Sequence, residues 1–320
     1  SWITKNVVND KGGLHNRLTE IVNLQPFTLK ETKQFFESRN FKFTNHTIAE
    51  YYMVFGGVPF YLEQIEKSES PAVAIERICF SESGILKNEF QNLYKALFQN
   101  YEEHEAIVQA LATSHYGLSR TELIKKSKIK AGGPYNRAIS ELIMSGFVIE
   151  EQQFGKTKRG SIYRLIDEYS VFYYHFGTKK HIPGSWLPTE ASQKYKIFKG
   201  YAFESLCKKH IYEIKQSLGI SGVLSEKSVF IESSEKNMQI DLLIDRKDNA
   251  INLCEIKHYG GQFEITKSYA EELRAKKQQF IEKTKTKKQV FVTLITNFGV
   301  KINEYSNEMM DVEIKLDDLF

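Results

Sequence analysis

Cysteine is scarce in this 320-residue chain: Cys79, Cys207 and Cys254 are its three. They are too few and too far apart for a disulfide framework or a Cys-rich zinc site. Long apolar runs are missing too. None approaches the ~20 residues that a membrane-spanning helix needs, and no secretory signal opens the sequence. Prolines number six and glycines 19, which excludes a collagenous or Pro/Gly-rich disordered polymer. What is there, 41% hydrophobic and 26% charged residues, is the balance of a folded soluble protein with length for two or three domains. The expected location is a reducing cytoplasm, with no membrane partner. A formal net charge of +4 permits a nucleic-acid partner without requiring one. The opening Ser1-Trp2-Ile3 reads as the middle of a longer protein, since neither an initiator methionine nor a helix signal precedes it.

Local signals organise the chain. Residues 1–95 read as mostly helical after an extended opening. Thr28 with Glu31 three residues on is a capping-box signature for a helix over 29–36. A second helix over 44–55 stops at Gly56-Gly57, and Pro59 opens another. Within 96–178 the spacing predicts helices over 105–112, 119–126 and 135–144, the middle one capped by Ser119 and Glu122. Strands at 147–151 and 161–166 follow, joined by a basic turn over 154–160. Three helices and a hairpin in that order spell a winged helix-turn-helix. Pro183, Gly184 and Pro188 mark 179–194 as a linker. From 195 to 320 a helix over 195–219 leads to strands at 229–232, 239–245 and 251–257, then a charged helix over 266–284 and an apolar strand at 289–296. That order predicts an α/β core with a mixed sheet.

The chemistry concentrates in two of those strands. Alternation puts Ile240, Leu242 and Ile244 on one face and Asp241 on the other, while Glu255 and Lys257 share a face about 7 Å apart. An antiparallel hairpin through the turn 245–249 would bring Asp241 alongside Glu255. Two carboxylates so placed repel each other unless a cation lies between them, and oxygen ligands favour Mg²⁺ or Mn²⁺. Lys257 beside such an ion could orient or deprotonate a water, or stabilise a phosphorane-like transition state. Glu204, among apolar residues of the leading helix, could reach the same ion. The plain alternative is a solvated ion pair on an exposed strand face, worth under ~1 kcal/mol. Having Asp241 and Glu204 in the same reading favours the metal site.

The pattern Asp241…Glu255-x-Lys257 with Glu204 on a leading helix resembles the PD-(D/E)XK nuclease superfamily of restriction-endonuclease-like folds. Ile240 stands where the family name has proline. The resemblance implies that Asp241 and Glu255 bind Mg²⁺, that Lys257 assists the hydrolytic water and that Glu204 completes the site. It also implies a helix flanking the site, on which Lys267, Tyr269 and Lys277 are equal candidates.

In the winged helix, Lys125, Lys126, Lys128 and Lys130 precede the expected recognition helix, and Lys156, Lys158 and Arg159 tip the wing. These charges would meet phosphates, with Asn136 and Arg137 reaching base edges. The alternative is a protein-interaction module with a wet surface. A P-loop is missing: Gly155-Lys156-Thr157 has Glu150 where the motif needs its first glycine. Yet Gly12-Gly13-Leu14-His15-Asn16-Arg17, Leu24-Gln25-Pro26-Phe27 and Gly56-Gly57-Val58-Pro59 resemble the segment after the sensor strand of AAA-type, STAND-like prokaryotic ATPases. There Arg17 would sense phosphate, and Gly57 and Pro59 would belong to a Gly-x-Pro element on adenine. A turn and a Pro-started helix would use the same residues. The order of helical lid, winged helix and nuclease-like domain resembles the archaeal and bacterial ATPase family with a C-terminal domain of unknown function. The resemblance implies ATP bound by a longer protein, DNA as partner, and a C-terminal domain that is either a Mg²⁺-dependent nuclease or an inactive binding and regulatory module.

Overall fold

The computed structural model describes residues 24–87, 89–156, 160–178, 184, 186–232 and 238–320. Arg17, Lys158 and Arg159 lie outside the described residues, as does the Gly12-Gly13 stretch. The molecule is mixed α/β, with many helices and a mixed parallel and antiparallel sheet. It divides into two units. One holds Val54–Glu150 and Ile162–Ser192 with the segment ending at Phe27; the other holds Thr28–Met53, Glu151–Ser161 and Gln193–Phe320.

In the first unit the helices Tyr101–Ala112, Arg120–Ser127 and Gly133–Met144 combine with strands β1 (Leu118–Ser119), β2 (Val148–Glu151) and β3 (Ile162–Leu165). The strands form a sheet of order β1-β3-β2. Ser119 and Glu122 make the expected capping box, and Leu111, Leu123, Tyr135, Ala138 and Leu142 are buried. Gly57 has a packing reason to be glycine: a Cβ there would stand 1.9 Å from the Phe27 carbonyl oxygen, whose own amide donates to the Gly57 carbonyl at 2.8 Å. Pro59 begins the short helix Pro59–Leu62, where its missing N–H costs nothing. Trp186, in the stretch read as a linker, is fully buried with its ring against Phe80, Phe172 and Phe176.

The second unit is built on a five-stranded sheet. After β4 (Ser225–Glu232), β5 (Met238–Arg246) and β6 (Ala250–Lys257) come a two-residue strand β7 (Phe263–Glu264) and the long helix Lys267–Thr284. Then follow β8 (Gln289–Thr296), a short β9 (Val300–Lys301) and β10 (Val312–Lys315). The order is β10-β8-β6-β5-β4. β4, β5 and β6 run antiparallel, whereas β6, β8 and β10 are parallel. Parallel neighbours need a crossover, and the long helix supplies it between β6 and β8. Its Phe280 joins Phe230, Ile240, Leu243, Ile251, Leu253 and Val290 in one core. The turn expected to tip a wing contributes to this core as well. Phe154 packs its ring at a tilt against Phe280, its amide donates to the Val229 carbonyl at 2.8 Å, and Gln153 bridges Val229. The edge strand β4 is thereby covered, which blunts an otherwise open ladder.

The helix expected over 195–219 is broken into Gln193–Lys209 and Ile211–Ser217. The break is His210, buried, whose Nδ1 lies 2.8 Å from the Leu206 carbonyl and whose Nε2 accepts the Leu29 amide at 2.9 Å. A ring that donates at Nδ1 and accepts at Nε2 is neutral, and burial holds its pKa below the ordinary histidine value. A depressed histidine gives stability that is present above the unfolded pKa of about 6.5 and lost as pH falls below it. Chemical denaturation at stepped pH is therefore expected to show the second unit weakening below pH ~6.5. His210→Gln should flatten that limb while costing about 1–3 kcal/mol at neutral pH.

Candidate functional site

Pairing of β5 with β6 runs from Asp245↔Ile251 to Leu242↔Cys254. One step beyond, Asp241 uses its side chain instead: Oδ2 accepts the Ile256 amide at 3.1 Å. Its Oδ1 makes no hydrogen bond with any described residue. The hairpin itself is closed by Asn249, in the left-handed region at φ 66°, a conformation asparagine tolerates better than most residues.

Glu255, fully buried, is the centre of the cluster. Lys276 Nζ donates to both carboxylate oxygens at 3.0 Å, and the Tyr269 hydroxyl donates to Oε2 at 3.2 Å. Lys257 Nζ stands 3.6 Å from the same oxygen and 5.3 Å above the Tyr269 ring. Lys257 is the more open of the two lysines, its side chain 32% exposed against 17% for Lys276. From the helix Gln193–Lys209, buried Glu204 pairs with Lys208 at 2.5 Å. Glu204 thus has its own ammonium in Lys208, while Glu255 faces Lys257 and Lys276.

Burial lifts the Asp241 carboxyl above the ordinary carboxylate range and the Glu255 charge adds to the rise, against the pull of Lys257, Lys208 and the Ile256 amide. Desolvation works against the Lys276 ammonium, but Glu255 and then Asp241 outweigh it and hold its pKa above the usual lysine value. Tyr269 is driven up by burial and by the same two carboxylates, so its hydroxyl stays protonated and donates.

The structure brings Asp241, Glu255 and Lys257 together, as the strand alternation leads one to expect, with Glu204 held by Lys208. Lys208 and Lys276 are two residues that the sequence reading passed over. Of the three candidates on the flanking helix, Tyr269 reaches Glu255, whereas Lys267 is exposed and Lys277 lies 3.8 Å from Asp311. The signal for Lys276 was present: Tyr269, Leu273, Lys276 and Phe280 repeat at helical spacing, so Lys276 falls on the buried stripe. Among the described residues no group of three or more His, Cys, Asp or Glu side chains converges as a metal cage.

The residues assigned to DNA contact are placed as follows. Lys125, Lys126, Lys128 and Lys130 are exposed. Asn136 accepts from Arg120 at 2.6 Å, Arg137 pairs with Glu103 at 2.6 Å, and Lys156 donates to Gln153 at 2.8 Å. The basic face is therefore carried by the lysines before the helix Gly133–Met144, while Asn136 and Arg137 are held by partners within the fold.

No protein-family model matches the chain. Over 221 residues, 68% of its length, it is 22% identical to an uncharacterized protein of Methanocaldococcus jannaschii, of which the match covers 48%. The chain thus spans about half the length of the relative it matches. Among the described residues no helix is long and apolar enough to cross a membrane.

Proposed function

We propose that this chain is the C-terminal part of a cytoplasmic ATP-binding protein whose second unit is a divalent-metal-dependent nuclease acting on DNA. The observation that carries the reading is the meeting of Asp241, Glu255 and Lys257 just beyond the last β5–β6 backbone pair. The donor set suits Mg²⁺ or Mn²⁺: hard oxygen ligands, two carboxylates, and one Asp241 oxygen with no partner among the described residues, leaving water to complete the shell. Asp241 and Glu255 would hold the ion, with Glu204 in support once Lys208 releases it. Bound there, the cation would polarise a phosphoryl oxygen and acidify a water. Lys257, anchored over Tyr269 and the most exposed cation of the cluster, would orient the attacking water and neutralise charge developing on the phosphate. Lys276 and Tyr269 would fix Glu255 in place.

Two further parts complete the reading. The three helices and small sheet of the first unit support a winged helix, with Lys125, Lys126, Lys128 and Lys130 as its phosphate-binding face. ATP would be held by a portion outside this chain, and Gly57 and Pro59 would lie at its margin.

One observation favours a second reading. Lys276 occupies both oxygens of Glu255, so the cluster is charge-balanced by its own lysines and would stand as a non-catalytic binding module. Plasmid cleavage with Mg²⁺ or Mn²⁺ separates the two. The nuclease reading expects nicking by the wild type and a fall of about 10²–10³-fold in Lys257→Ala. Wild type that leaves plasmid intact with either metal supports the binding module instead.

A further inference from the structure

A recess of about 230 Å³ opens at the carboxyl ends of the parallel strands β6 and β8. Its walls are the residues that leave those strands, His258 and Tyr259 after Lys257 and Phe298 after Asn297, together with Lys199 and Phe203 of the helix Gln193–Lys209 and His46. Carboxyl ends of parallel strands are where α/β sheets hold ligands, because the connections diverge there and leave a crevice.

The walls define the ligand. Phe298 stacks on His46 with centroids 4.0 Å apart and planes 13° apart, yet remains 43% exposed, and Tyr259 is 57% exposed. Both present free aromatic surface at the opening. The loops carrying them are clamped: the Asn297 side chain donates to the Tyr259 carbonyl at 2.8 Å and accepts its amide at 2.9 Å, and His46 Nε2 lies 2.9 Å from the Asn297 carbonyl. His258 packs edge-on to Phe203 and makes no hydrogen bond with any described residue. Burial, with Lys199 and His46 nearby, lowers its pKa to about 4, so at neutral pH it offers one N–H donor and one nitrogen acceptor. The wall holds one ammonium, Lys199, 3.6 Å from the Glu50 carboxylate that lines it too. A flat apolar slot with a donor–acceptor edge and an ammonium in its wall matches one stacked base and its phosphate.

We propose that this recess takes the base of one unpaired nucleotide of a nucleic-acid strand, stacked on Phe298, with its polar edge at His258 and its phosphate toward Lys199. This rests on the reading above that the second unit acts on nucleic acid. It refines the substrate class to strands that carry an unpaired or frayed nucleotide.

Fluorescence anisotropy of a labelled single-stranded oligonucleotide on the full chain, in chelator so that nothing is cleaved, tests it. Phe298→Ala should weaken binding by roughly five- to hundredfold, the usual loss for one stacked base, and Phe298→Tyr should restore it. His258→Phe, which keeps the ring and removes the polar edge, should also weaken binding. Affinity for the single strand that is unchanged in Phe298→Ala overturns the proposal. So does a nucleoside monophosphate binding as tightly as the oligonucleotide, which would make the recess a site for a free nucleotide. Phe298-dependent binding by a chain that leaves DNA intact with both Mg²⁺ and Mn²⁺ keeps this proposal standing and removes the nuclease reading. Cleavage without Phe298-dependent binding does the reverse.

Discussion

Replacing Glu255 by alanine is expected to cost the second unit about 3–5 kcal/mol. The reason is what it leaves behind. Glu255 is fully buried and receives Lys276 on both oxygens and the Tyr269 hydroxyl on one. Without it, a largely buried ammonium and a partly buried hydroxyl lose their acceptor together. Glu255→Gln keeps the shape and one acceptor oxygen, so its cost should be smaller. In Glu255→Ala/Lys276→Met both partners are apolar, and much of the loss should return, because a removed ion pair costs far less than a broken one. Urea denaturation of the three variants measures the coupling. A double variant no more stable than Glu255→Ala would mean that the pair is not what holds this region.

Asp241→Asn is expected to act in opposite directions on activity and stability. With metal present, cleavage should fall on the order of 10³-fold or more, since a ligand to the ion is gone. Without metal, the variant should be more stable than wild type at neutral pH. The sign follows from the raised pKa of Asp241, which burial and then Glu255 produce. A carboxyl that holds its proton more tightly when folded favours the native state in acid. As pH rises from the unfolded value of about 3.9 through the folded pKa, that advantage is lost and the ionised group becomes a burden. Asparagine removes the burden, so the two proteins should converge in acid and diverge toward neutrality. Thermal unfolding in chelator, stepped from below the unfolded carboxyl pKa of about 3.9 up to neutral pH, reads this directly. Wild type the more stable of the two at neutral pH would contradict the electrostatics described here.

Local chemistry was the legible part of this molecule. Thr28 with Glu31 and Ser119 with Glu122 announce helix starts that the structure builds as capping boxes, because a cap is decided within four residues. The β5–β6 hairpin was legible for the same reason: apolar alternation fixes which side chains share a face, and that alone put Asp241, Glu255 and Lys257 in one reading. What escaped depends on distant partners. His210 breaks its helix to reach Leu29, 181 residues away, and nothing near His210 signals it. Phe154 reads as the tip of a turn until Phe230 and Phe280 supply its core. β10 is four residues, Val-Glu-Ile-Lys, and exists because β8 offers a parallel edge. Lys276 was missed because a lysine on a charged helix reads as solvated, and only its phase relative to Leu273 and Phe280 says otherwise.

Titration calorimetry of Mn²⁺ into wild type and Asp241→Asn tests the central claim most directly, that Asp241 and Glu255 form a divalent-cation site. The expected result is a single saturable event in wild type that disappears in Asp241→Asn, with the metal stabilising only wild type in a parallel thermal scan. Equal binding by both proteins, or none by either at millimolar Mn²⁺, would contradict it and leave a lysine-neutralised cluster with a purely structural task.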